Sequence, residues 1–212
     1  RDLHVRSRRQ RQMCIRDSIQ VVHKIISSKK DNNFDISLDF TATELNGLIM
    51  WKQSDKKRDN YISVGLVSGF LEFEFSFGER KKASVLSKTK ITKGMKHKAV
   101  LSKREATATL QLDNDDEVKG STDLGDYDDQ INTYGSPLFI GGLPQNIAQT
   151  TKKKFTSGFS GCLQEVSIYN YGKYNFGDIL DFTNDHYVDE SRKVTCSKTD
   201  TCSNSDGSSF WK

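Results

Sequence analysis

A chain of 212 residues with a mean hydropathy of −0.65 has room for one sizeable domain, and it holds no run of eighteen apolar residues that could insert into a bilayer. Its net charge of +4 excludes more than it implies. Residues 1–18 carry six arginines and two aspartates, so the rest of the chain is balanced and lacks the basic excess that nucleic acid requires.

The leader also differs in kind, because all 22 lysines lie at Lys24 or later. The string Gln12–Ser18 resembles translated adapter sequence, and residues 1–18 are therefore excluded from the expected fold as a non-native or disordered basic leader. The competing expectation is a genuine basic arm for polyanions. No signal peptide is recognisable, and the natural amino terminus is expected to lie upstream.

From Asp35 onward the chain alternates with period two. Ile36, Leu38 and Phe40 share one face, and Leu48 and Met50 follow the turn Asn46-Gly47. Ile62, Val64 and Leu66 alternate next. Leu71, Phe73, Phe75 and Phe77 then oppose Glu72, Glu74 and Ser76, which predicts a strand with one buried and one solvated side. A weaker run covers Ala83–Ile91. Clearer alternation returns through Ala99 and Leu101, then through Ala108, Leu110 and Leu112 as far as the turn at 113–116. Pro137–Ile140 reads as a strand closed by Gly141-Gly142, the segment Leu143–Ser157 as a polar loop, and Leu163, Val166 and Ile168 as a late strand or a short helix-like entry to one. Many short strands and no long helical period predict an all-β, two-sheet antiparallel sandwich of the jelly-roll kind.

Cys14 falls in the excluded leader, leaving Cys162, Cys196 and Cys202 without any zinc-type spacing. Two readings stay open: buried reduced thiols, or a Cys162–Cys196 disulfide with Cys202 unpaired, which implies an oxidising compartment.

Six fragments in order carry a resemblance. They are Phe40–Met50, Asn60–Leu66, Ser68–Phe73 with Phe77-Gly78, Leu110–Asp113, Pro137–Pro144 and, most specific, Phe159–Val166. Together they resemble the laminin G-like domain of laminins, agrin, perlecan, neurexins and Fat-type cadherins, over residues 19–196. The segment 197–212 resembles the truncated start of an EGF-like module or a linker. Lys96 stands where the family carries tryptophan, while His97 matches and is expected to be a structural histidine.

The resemblance implies a secreted or ectodomain module for adhesion and matrix binding, concanavalin-A-like in fold and without enzymatic activity. Its implied partners are glycosylated cell-surface receptors, heparan-sulfate-like glycans or other matrix proteins. It also implies a calcium position at Asn60 and Asn132 with the Phe77 carbonyl, and neighbouring Asp59, or Asp128 and Asp129, could supply the charge those amides lack. Anionic glycans would meet Lys56-Lys57-Arg58, Arg80-Lys81-Lys82 and Lys152-Lys153-Lys154, all in expected loops.

Two other functions are weighed against it. A carbohydrate-binding lectin shares the fold. A jelly-roll glycoside hydrolase would use Glu72 and Glu74, about 7 Å apart along one strand face. The strand shows no neighbouring Trp and Tyr platform, so these are expected to be solvent-facing glutamates. No nucleophile elbow, phosphate loop or dinucleotide fingerprint is present in the sequence.

Overall fold

The structure is a computed structural model that describes residues 13–15, 19–21, 33–54, 59–78, 81–124, 131, 133, 136–143, 146–171, 176–179, 194–196 and 202–204. Its strands in chain order are β1 (Met13–Ile15), β2 (Ile19–Val21), β3 (Asn33–Ala42), β4 (Gly47–Gln53) and β5 (Asn60–Val67). Then come β6 (Phe70–Gly78), β7 (Lys81–Lys90), β8 (Lys96–Arg104), β9 (Thr107–Leu112) and β10 (Val118–Ser121). The series ends with β11 (Leu138–Ile140), one helical turn α1 (Ile147–Thr150), β12 (Gly161–Tyr171), β13 (Phe176–Ile179), β14 (Val194–Cys196) and β15 (Cys202–Asn204).

These strands form two antiparallel sheets. One runs β10-β9-β8-β3-β12-β1-β14-β15, with β13 also on β12, and the other runs β2-β11-β4-β5-β6-β7. The expected sandwich is therefore the observed fold. Period-two alternation places Ile36, Leu38 and Phe40 from the first sheet against Ile62, Val64, Phe73 and Phe75 from the second, in one continuous core. Each of these side chains is fully or almost fully buried, and each such burial contributes about 1.5–3 kcal/mol.

Two bulges explain where simple alternation fails. A register shift occurs between Leu48 and Met50 on β4: Ile49 and Met50 enter the core, and Leu48 joins a separate cluster with Trp51 and Phe155. A shift between Leu163 and Glu165 on β12 lets Leu163 and Val166 both face inward although they are three positions apart. That segment is a strand, not a helix-like entry.

His97 has the structural role expected of it. Its Nδ1 lies 2.7 Å from the Asp113 carboxylate, and its Nε2 lies 3.0 Å from the Thr92 N–H, tying together two turns at the ends of β8 and β9. Lys52 and Lys103 are buried. Lys52 donates to the Ser136 carbonyl at 2.5 Å. Lys103 sits over the rings of Phe75 and Phe77, 5.5 and 5.4 Å from their centroids.

Of the segment excluded as a leader, the backbone of Met13–Ile15 pairs with β12, Cys14 opposite Cys162. In the carboxy-terminal segment, Cys202–Asn204 pairs with Val194–Cys196.

Candidate functional site

The outward face of the six-stranded sheet is partly covered. On β4, β5 and β6 the residues that point away from the core are Trp51, Tyr61, Glu72 and Glu74, and β7 adds Lys82 at its start. The segment from Asn146 to Gly158 folds over them. Phe155 anchors it, because Gly65 has no side chain: a Cβ there would lie 2.3 Å from the Phe155 ring. Leu48, Trp51 and Phe155 form a small apolar cluster, with Tyr61, Phe139, Leu143 and Ile147 packed around it. The Thr151 hydroxyl accepts from the Phe155 N–H at 3.1 Å and donates to the Ile147 carbonyl at 2.7 Å, which holds the turn after α1. Lys152 and Lys153 follow with φ of 53° and 67°. This left-handed backbone reverses the chain and brings Lys154 back onto the sheet.

There Lys154 meets two carboxylates, its Nζ lying 2.8 Å from Glu74 and 3.0 Å from Glu72. Glu74 is 2% exposed, accepts the Tyr61 hydroxyl at 2.6 Å and has Lys82 Nζ at 3.3 Å. Burial pushes its carboxyl upward, but Lys154, Tyr61 and Lys82 more than offset that and hold it below the ordinary value. Tyr61 responds in the opposite sense. Burial, then the Glu74 carboxylate, raises its hydroxyl far above the normal tyrosine range, so it stays a neutral donor. The Tyr61 ring stacks on Trp51 with centroids 4.9 Å apart and planes 16° apart. These groups border a cavity of about 310 Å³ that Gln53, Thr150 and Lys152 complete.

This arrangement corrects two expectations. The Trp and Tyr said to be missing beside the glutamates are present, delivered by β4 and β5, since strand pairing joins residues that the sequence separates. Glu74 is not solvent-facing, because the loop and Lys154 cover it. Glu72 and Glu74 do share a strand face, as alternation implied.

The basic clusters divide. Lys82 and Lys152 reach the same cavity although 70 positions separate them, and Lys154 lies on its floor as an ion-pair partner. Lys81 donates to the Asp123 carbonyl at 2.8 Å, and Lys153 is exposed with no ion pair among the described residues. Lys56, Lys57, Arg58 and Arg80 lie outside the described residues.

For the calcium position, Asn60 and Phe77 are register partners at one end of β5 and β6. Asp59, the adjoining carboxylate, is 2.6 Å from the Lys152 ammonium. Asn132, Asp128 and Asp129 lie outside the described residues, among which no three His, Cys, Asp or Glu side chains gather. Among the described residues the position offers a neutral amide and a carboxylate paired with an ammonium, so the anionic oxygens a hard dication needs would have to come from elsewhere. Cys162 is buried and disulfide-bonded. The Cys196 side chain, its expected partner, lies outside the described ones.

The sequence pattern of the laminin G domain matches residues 40–172, more than half of the chain. The chain belongs to the laminin G domain family. Among curated relatives, this laminin G domain is 28% identical to a basement membrane proteoglycan of Caenorhabditis elegans over 147 residues, covering 68% of the chain and 4% of that protein. It is 32% identical to pikachurin of Rattus norvegicus over 136 residues, covering 64% of the chain and 13% of pikachurin. The LG1-3 region of the laminin α2 chain superposes with a TM-score of 0.60 at 19% identity, over 74% of this chain and 30% of that one. The laminin G domain thus spans a small fraction of its curated relatives, and it is an extracellular matrix and adhesion module by family. No helix among the described residues is long and apolar enough to cross a membrane.

Proposed function

We propose that this laminin G domain binds sulfated glycans, or receptors and matrix proteins that carry anionic glycans, at the outer face where Lys82, Lys152 and Lys153 stand. The supporting observation is convergence. Lysines from two separate runs of the chain border one cavity: the side chains of Lys82 and Lys152 are more than half exposed, so a polyanion can compete for them with Glu74 and Asp59, and Lys153 beside them has no ion pair among the described residues. Lys152 and Lys153 are exposed and project from a backbone turn held by Phe155, so their positions are set by the fold.

Binding of this kind needs no calcium, because Lys152 already supplies the positive charge beside Asp59. It also involves no bond cleavage. A glycosidase needs one carboxyl raised so that it can donate a proton. Glu74 is instead held low, and a single ammonium bridges both carboxylates.

The test is retention on immobilised heparin under a salt gradient. Lys152→Ala/Lys153→Ala is expected to elute at clearly lower salt than the parent, with an unchanged melting temperature because the one ion pair lost is exposed. Adding a calcium chelator is expected to leave both elution positions where they were. Equal retention of parent and variant would remove the reading, and chelator-sensitive retention would restore calcium to it.

A further inference from the structure

The same cavity holds chemistry that charge attraction does not use. Tyr61 is fixed twice, by its stack on Trp51 and by the hydrogen bond from its hydroxyl to Glu74, so the ring is a rigid aromatic wall. Glu72 is tied through one oxygen only: Oε1 accepts the Ser84 hydroxyl at 2.9 Å and meets Lys154 at 3.0 Å, while Oε2 has no partner among the described residues. Charges within the cavity are balanced, with Lys82 and Lys154 against Glu72 and Glu74, and Lys152 against Asp59. A charged ligand seated on the floor would have to break one of these ion pairs. An uncharged polyol would not. Its hydroxyls can donate to Glu72 Oε2 and accept from an ammonium, while its C–H face packs on the Tyr61 ring.

We propose that the cavity is a socket for a single uncharged sugar ring. About 310 Å³ lies at the small end of ligand pockets, which run from about 300 to 1,000 Å³, and suits one pyranose better than an extended chain. Preorganisation favours affinity here, since neither the ring nor the carboxylates need to be ordered on binding. This socket shares a place with the polyanion reading above but not its chemistry, so the two stand or fall separately.

Saturation-transfer NMR on the whole chain tests the socket, with the methyl glycosides of galactose, glucose and mannose as neutral probes and a sulfated heparin disaccharide as the charged one. At least one neutral glycoside is expected to receive saturation, and to keep it in high salt. Glu72→Gln is expected to weaken that binding about tenfold, by replacing a charged acceptor with an amide. Tyr61→Phe, which keeps the stack and the fold, frees the ring tip and is expected to weaken it less. A melting curve for each variant separates lost binding from lost structure. The socket is overturned by silence from all three neutral glycosides, by saturation of the sulfated probe alone, or by neutral-sugar binding that neither variant weakens.

Discussion

Gly161→Ala is expected to lower stability by about 3 kcal/mol or more, a fall of roughly 10 °C in melting temperature for a domain of this size. Two causes add. Gly161 has φ of 147°, a conformation that residues with a Cβ rarely adopt. A Cβ built there would also lie 2.1 Å from the Thr41 carbonyl oxygen and 2.9 Å from Ala42 Cα, which are backbone atoms of the adjoining strand that cannot swing aside. Gly161 opens β12, the central strand between β3 and β1, so strain there acts on the middle of the larger sheet. Gly69→Ala is the matched control. Its φ is also positive, at 86°, but the nearest atom to an added Cβ is a leucine side-chain carbon at 3.4 Å. Its cost is expected near 1 kcal/mol. Equal losses in the two variants would show that close backbone approach at Gly161 is not what the glycine serves.

Lys154→Ala is expected to cost about 3 kcal/mol at neutral pH, although lysine-to-alanine changes on a loop are ordinarily near neutral. The difference arises because Glu74 is buried, and losing Lys154 leaves its charge with only Tyr61 and the more distant Lys82. The pH dependence carries a sign. The Glu74 carboxyl in the folded parent titrates below its ordinary value of 4.5, so its contribution is fully present above that value and is lost as pH falls through the lowered one. In Lys154→Ala, burial is left less opposed and raises the carboxyl. The deficit of the variant against the parent is therefore expected to be largest near pH 7 and to shrink as both approach pH 4. Denaturant melts of the two proteins across that range measure it. A deficit that stays constant with pH would mean that Lys154 acts through packing on Phe155 and not through charge.

The sandwich was legible because its cause is local. A strand with Leu71, Phe73, Phe75 and Phe77 on one side has to bury that side, and several such strands leave few architectures open. Phe159–Val166 identified the family for a related reason: a glycine that tolerates close backbone approach must stand beside the buried Cys162. What failed was what depends on pairing. Nothing local reveals a bulge, so alternation could not show that Leu48 faces the loop cluster while Ile49 and Met50 enter the core.

The outer-face site failed for a deeper reason. Trp51 and Tyr61 become neighbours of Glu74 only when β4, β5 and β6 are in register, and the covering segment becomes legible only when Phe155 is seen against Gly65. Part of the signal was present in parity, since Tyr61 and Glu74 fall out of phase with the core-facing residues of their strands, whereas Trp51 shares the parity of buried Ile49 across the β4 bulge. The lysine runs were legible as charge, but not their neutralisation. Lys152 and Lys154 pair with Asp59, Glu72 and Glu74, which are 93, 82 and 80 positions away in the chain.

The proposed docking face is the outer side of the six-stranded sheet, between β5, β6 and the turn at Lys152-Lys153. An amide chemical-shift map of the ¹⁵N-labelled chain, titrated with a heparin-derived tetrasaccharide, tests it most directly. Shifts are predicted to cluster at Tyr61, Glu72, Glu74, Lys82 and the segment 150–154. Shifts confined to β3, β8 and β12 on the opposite sheet, or no shifts at all, would contradict it.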